Sequence, residues 1–385
     1  MRRRIRLFSL LLVFLSLLLL LPLDATEAKI SPVGEELPEE YADFLEGIPD
    51  EVTGLLPEGI FSSEGEAVEE SVRQMSSFSY LLRTVLSLVG LELGTCLGML
   101  GAVAGLLILS AIFRAICTSF GSETVGRALS FCSVLVILSS LLAVGYRTVL
   151  SVTDYFDTLG ALTAASLPLI GTLYAMGGNV AAATASSMGL SVFMTVMEEL
   201  VGKTVVPFCG VCLAFAAVGT LTPSLRLGSL LSTVKKNYAT ALAFLMMLLL
   251  AMLGTQTTLG ARADGLAMRS VKFAAGSWIP IVGGSVGELL RSVSAGVSYL
   301  RGSLGICAVL LLLFTLLPTL IKLFLIRLTW QVSASLADLL GCESEKRLLD
   351  EFSSLCGYLI AAVSVCSSVL LLSLTTLIRC ASAIG

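Results

Sequence analysis

The sequence predicts an all-α polytopic membrane protein with an internal repeat, preceded by a signal peptide and an acidic extracytoplasmic arm. Composition is the first reason: 56% of the residues are hydrophobic and only 14% charged, against about a quarter charged in an ordinary soluble domain. Run length is the second, because stretches such as 241–253 and 355–377 approach the ~20 apolar residues of a membrane-crossing helix. Self-similarity is the third. Ala165-Ser166-Leu167-Pro168-Leu169-Ile170-Gly171 returns as Gly276-Ser277-Trp278-Ile279-Pro280-Ile281-Val282-Gly283, with the prolines 112 positions apart. Thr204-Val205-Val206-Pro207 returns as Thr315-Leu316-Leu317-Pro318, 111 positions apart. Duplicated helix groups in a membrane chain pack about a pseudo-symmetry axis, and function gathers where they meet.

Residues 1–28 read as a signal peptide. Arg2, Arg3, Arg4 and Arg6 form its basic start, 7–21 its apolar core, and Thr26-Glu27-Ala28 places small residues before a cleavage point. An uncleaved anchor helix is the alternative. Residues 29–75 hold thirteen acidic residues and two basic ones, Lys29 and Arg73, with prolines at 32, 38, 49 and 57. That composition predicts an acidic, flexible extracytoplasmic arm. Clusters such as Tyr41, Phe44, Leu45 and Ile48 suffice for a helical turn or two but not for a core, so the arm is a solvated spacer or a docking peptide. In 76–90, Phe78, Leu81, Leu82, Val85 and Val89 share one helical face, which suits an amphipathic helix lying in the membrane interface.

The membrane repeats follow as 91–201, 202–317 and a partial third, 318–385, that supplies a helix pair. Each full repeat reads as four apolar segments, A to D, giving about seven to ten crossings of ~20 residues each. In the first span Gly94/Gly98 and Gly101/Gly105 allow close helix approach. The third segment of each repeat, near 160–177 and 266–290, carries a proline motif and reads as a broken helix. Loop charges set the orientation. Arg114 and Arg127, then Arg226, Lys235 and Lys236, then Lys346 and Arg347 fall in successive A–B loops, which the positive-inside rule places in the cytoplasm. The repeats are then parallel. The segment near 266–290 fits this least well, since Arg269, Lys272, Glu288 and Arg291 make it a poor lipid-facing span.

Chemistry is scarce. The chain has no histidine, which removes the usual neutral-pH general base and the commonest transition-metal ligand. No P-loop, GxSxG or paired metal-ligand motif occurs, so no catalytic, cofactor or metal residue is expected. Cys209-Gly-Val-Cys212 matches a CxxC pattern but lies in an apolar helix, where packing is the better reading. The remaining candidates are the motif residues Pro168, Gly171, Asp264, Arg269, Lys272, Pro280 and Gly283. Ionisable groups in or beside spans either line a polar path or pair and snorkel at helix ends.

The run Ala263-Asp264-Gly265-Leu266-Ala267-Met268-Arg269-Ser270-Val271-Lys272-Phe273, followed by Gly276-Ser277-Trp278-Ile279-Pro280-Ile281-Val282-Gly283, resembles the signature of the stage III sporulation protein AE family. Signal peptide, acidic arm, length and helix order are similar over nearly the whole chain. The resemblance implies a polytopic protein of the mother-cell membrane surrounding the forespore. It implies membership of a secretion-like channel assembly needed for late forespore sigma-factor activity. Its partners would be other membrane proteins of the same sporulation locus and their cytoplasmic ATPase, with a forespore membrane protein met indirectly across the intermembrane space. It implies no nucleic-acid partner and no catalytic residues. Two other readings stand beside it: a small-solute permease built on the two broken segments, and a purely structural anchor without a polar path.

Overall fold

The computed structural model describes residues 39–46, 48, 50–62, 65–119, 123–176, 203–221, 229–245 and 283–382, with isolated positions between 188 and 251. Regular structure among them is helical throughout. The arm contributes α1 (Glu39–Glu46), single turns at Asp50–Thr53 and Glu58–Phe61, and α2 (Gly65–Ser76). The bundle contributes α3 (Phe78–Ser119), α4 (Glu123–Met176), α5 (Lys203–Leu221), α6 (Gly283–Leu339) and α7 (Glu343–Ser382). Four stretches are long and apolar enough to cross a membrane: Phe78–Ile116, Phe131–Pro168, Ile306–Leu339 and Glu343–Ser368. These make an all-helical, multi-pass membrane protein.

The helices are fewer and longer than the segments read from hydropathy. The expected interfacial helix and first span are one helix, α3, because nothing between Phe78 and Ser119 stops it. Gly90 costs only about 1 kcal/mol relative to alanine in a helix interior. Cys96, Met99, Val103, Leu106, Leu107 and Ser110 recur at three- and four-residue steps and turn one face of α3 inward. Likewise α4 runs unbroken through Pro168 and Gly171 to Met176, which corrects the expectation of a broken third segment in the first repeat. Proline forfeits one hydrogen bond, to the Ala164 carbonyl, and bends the helix without ending it when flanking contacts hold. Those contacts are the buried row Val149, Val152, Tyr155, Phe156, Leu159 and Leu162. The expected repeat boundary at 317/318 also falls inside a helix, since α6 carries Pro318 within it.

The join between α6 and α7 is dictated locally. Gly341 adopts φ 70°, a left-handed conformation that glycine enters without a Cβ penalty. The Cys342 amide then donates to the Ala337 carbonyl at 2.8 Å, and the Gly341 amide to Asp338 at 3.1 Å. This pair of bonds is the Schellman stop. It reverses the chain so that α7 returns along α6. A Cβ at Gly341 would meet nothing within 4 Å, so Gly341→Ala tests the backbone alone. It should cost about 1–2 kcal/mol and lower the Tm of the detergent-solubilised protein without changing its helix content.

The arm differs most from its sequence reading. Tyr41, Phe44, Ile48, Val52, Leu56, Ile60, Val68, Val72 and Met75 are all buried, in one apolar cluster with residues of α4, α6 and α7. These side chains are too few for a core of their own; they complete one that the long helices supply. The Tyr41 hydroxyl donates to the Ile60 carbonyl at 2.9 Å and lies 3.7 Å from Cys307 Sγ on α6. Burial, with Cys307 beside it, pushes the Tyr41 phenol well above its ordinary range, so it stays a donor. The Tyr80 hydroxyl donates to the Leu55 carbonyl at 2.8 Å and ties the arm to α3. Asp43, Glu46, Asp50, Glu58, Glu66 and Glu70 remain exposed on the outer side.

Candidate functional site

The polar groups that the fold brings together lie at the end of the bundle opposite the arm, where α3 finishes and α6 turns into α7. Glu345 sits in the first turn of α7 with its side chain 0% exposed. Arg114 Nη2 donates to both carboxylate oxygens, at 3.1 and 2.8 Å, and the Ser110 hydroxyl donates at 2.9 Å. Arg114 Nη1 donates to the Gly341 carbonyl at 3.0 Å, so one guanidinium holds both the carboxylate and the turn glycine. The pair also suits the helix dipoles: an acid at the N-terminus of α7, a base near the C-terminus of α3. Burial and the nearby Glu345 carboxylate push the Cys342 thiol up, which keeps it a packing group and not a nucleophile.

A second pair joins Lys235, in the helical stretch 229–245, to the half-buried Glu351 on α7. The lysine is 4% exposed and its ammonium donates to the Glu351 carboxylate. Lys346 and Asp338 make a more exposed bridge at 2.6 Å across the α6–α7 turn. Between these pairs the helices approach closely. A Cβ at Gly145 of α4 would sit 3.0 Å from the Phe352 ring, and one at Gly357 of α7 would sit 3.2 Å from the Arg327 guanidinium carbon. These glycines make room for an aromatic ring and a cation in a crowded interior. A cavity of about 20 Å³ lies between Gly145, Thr148, Cys209, Trp330, Phe352 and Cys356, space for roughly one water. Cys209 and Cys212 are buried free thiols, which agrees with packing. Among the described residues no three metal-ligating side chains come together.

Of the sequence-derived candidates the structure describes Pro168, Gly171 and Gly283. Pro168 is exposed on α4, and a Cβ at Gly171 would meet nothing within 4 Å. Gly283 is the first residue of α6. Asp264, Arg269, Lys272 and Pro280 lie outside the described residues. What the sequence did offer was Arg114 and Lys235 as loop charges, without their partners. Glu345 and Glu351 sit in the run Glu343-Ser344-Glu345-Lys346-Arg347-Leu348-Leu349-Asp350-Glu351, which looks like a solvated helix start.

Among the described residues the Arg114–Glu345 and Lys235–Glu351 pairs tie helices together. Comparison with known proteins places the chain. The model of the family described as stage III sporulation protein AE matches residues 65–381, from α2 to the end of α7. A curated relative, stage III sporulation protein AE of Bacillus subtilis (strain 168), is 24% identical over 355 residues, covering 91% of this chain and 84% of the relative. No solved structure matches. With the family model spanning the whole described bundle, the chain belongs to the stage III sporulation protein AE family.

Proposed function

We propose that this protein is a non-enzymatic membrane component of the mother-cell-to-forespore channel required for endospore formation and late forespore sigma-factor activity. The observation that carries the reading is the family match over residues 65–381, which implies a role in sporulation. It resides in the mother-cell membrane around the forespore and works with membrane proteins of its locus and their cytoplasmic ATPase. The forespore partner is met indirectly across the intermembrane space.

The test uses the host organism. Tagged protein captured from sporulating cells should bring down other membrane proteins of the locus, and the purified chain alone in liposomes should move no small solute. Solute uptake by the isolated protein would return the permease reading. Orientation is checked separately with impermeant thiol reagents. Cysteines placed at Ser62 and Ser224 should react from outside and from the cytoplasm respectively, because Arg226, Lys235 and Lys236 flank the second site. Reaction of both from outside would overturn the orientation.

A further inference from the structure

We infer that this protein binds a second copy of itself, the outward face of α3 in one copy packing against the outward face of α4 in the other. Exposure, charge and depth along the α3–α4 hairpin carry the pairing, and none of them depends on the sporulation role.

On α3, Arg83, Gly90, Gly94, Gly98, Gly101 and Gly105 are exposed. Their steps of seven, four, four, three and four residues keep them on one helical face, opposite the buried Cys96, Val103 and Leu107. A Cβ added at any of the five glycines would meet nothing within 4 Å. Gly145 and Gly357 differ, since they make room for Phe352 and Arg327 inside the chain's own bundle. Each glycine weakens the helix by about 1 kcal/mol relative to alanine, and on α3 no described part of the chain uses the space. Small residues at this spacing let a second helix backbone come close in a membrane, where association depends on tight packing.

The outward face of α4 is its complement. Val136, Ser139, Ala143, Leu150, Asp154 and Asp157 are exposed along one side of that helix. Two acids therefore stand above a strip of small and medium-sized side chains, where α3 has one cation above a strip of glycines. Among the described residues Arg83, Asp154 and Asp157 make no ion pair. A cation on one face and acids on the other attract two copies of the same chain, and they set the register in which the faces meet.

Depth identifies the occupant as a copy. Copies in one membrane share an orientation, so a rotation about the membrane normal relates them and leaves every residue at its own depth. Ser119 ends α3 and Glu123 begins α4, and both helices can be measured from that turn. At about 1.5 Å per residue Arg83 lies ~54 Å from it, Asp157 ~51 Å and Asp154 ~47 Å. Gly98 and Ala143 lie at ~32 and ~30 Å, and Gly105 and Val136 at ~21 and ~20 Å. One register thus sets the Arg83 guanidinium beside the acids of a second copy and the glycines beside its Ala143 and Val136. Lipid tails have no counterpart to this match of charge at one level and of size at another.

The test uses two differently tagged full-length copies, co-expressed in a non-sporulating host and solubilised in mild detergent. Capture of one tag should bring down the other. Gly98→Leu/Gly101→Leu should abolish that capture while the chain keeps its Tm, because a Cβ at either position meets nothing of its own fold. Charge reversal covers the case in which the leucine variant does not fold. Arg83→Glu alone and Asp154→Arg/Asp157→Arg alone should each weaken self-capture, and chains carrying all three changes should recover it, which misfolding could not produce. A photo-crosslinking residue in place of Gly101 then reports what covers the face. An adduct with residues 136–143 of a second chain supports the pairing; adducts with lipid alone, or with residues 246–282 of the same chain, would overturn it. So would a wild-type chain that fails to bring down its second tag, a folded leucine variant that captures as well as wild type, or a triple variant that does not recover.

Discussion

Arg114→Ala is expected to destabilise the protein more than Glu345→Ala, although the two residues make the same ion pair. The asymmetry follows from exposure: the Arg114 side chain is 27% exposed and the Glu345 side chain 0%. Removing the carboxylate leaves a guanidinium that can turn to water and keep its bond to the Gly341 carbonyl. The loss is then about 1–3 kcal/mol, the cost of broken hydrogen bonds to a charged group. Removing the guanidinium leaves the Glu345 carboxylate buried with the Ser110 hydroxyl still donating to it, and an uncompensated buried charge costs about 3–5 kcal/mol. The double variant Arg114→Leu/Glu345→Leu should recover most of the loss, because replacing both partners by apolar groups removes the desolvation penalty as well as the attraction. Thermal unfolding in detergent gives the order directly. Equal Tm losses for the two single variants would mean that Glu345 reaches water and that the pair is a surface bridge.

Much of this fold was legible as helix and little of it as helix ends. Apolar run length found the material of α3, α4, α6 and α7, because lipid demands it. The boundaries went wrong where hydropathy was asked to find turns. Pro168 read as a break and 317/318 as a repeat boundary, yet helix continues through both. Polarity ends a span but not a helix; only a stop such as Gly341 with its two carbonyl bonds ends the helix itself. The ion pairs were half visible. Arg114 and Lys235 stood out as cations near apolar segments, while Glu345 and Glu351 were hidden among neighbouring charges. Which of several adjacent acids turns inward depends on helix phase relative to partners more than a hundred residues away in sequence, 231 for Glu345 and 116 for Glu351. The arm failed for a related reason. Its apolar residues could not make a core alone, and one sequence did not show that α4 and α6 would lend them one.

Phe44→Ala should lower stability by about 3–5 kcal/mol, the usual cost of emptying a buried aromatic site, and a fully flexible arm would show no loss at all. Phe44 is 1% exposed and shares its cluster with Tyr155 and Phe156 of α4 and Phe314 of α6. The void would open between the arm and the long helices, not within the arm. Ile60→Ala should cost about 2–5 kcal/mol on the same grounds, and the two losses should not add, because both residues fasten one unit. This bears on how the arm's role can be tested. Deleting residues 32–70 would remove Tyr41, Phe44, Ile60 and Val68 from the core, so a sporulation defect after deletion would report misfolding as readily as lost docking. Reversing charge at Asp43, Glu46, Asp50 and Glu58 leaves the core intact, because these side chains are exposed and surface substitutions shift stability by only about 0.5 kcal/mol each. If the arm docks a partner through its acidic side, this variant should keep its Tm and its membrane level yet fail to co-purify with locus proteins, with forespore gene expression lost late in sporulation. Unchanged co-purification and sporulation would assign the arm to folding alone, with Phe44→Ala then carrying its entire phenotype through stability.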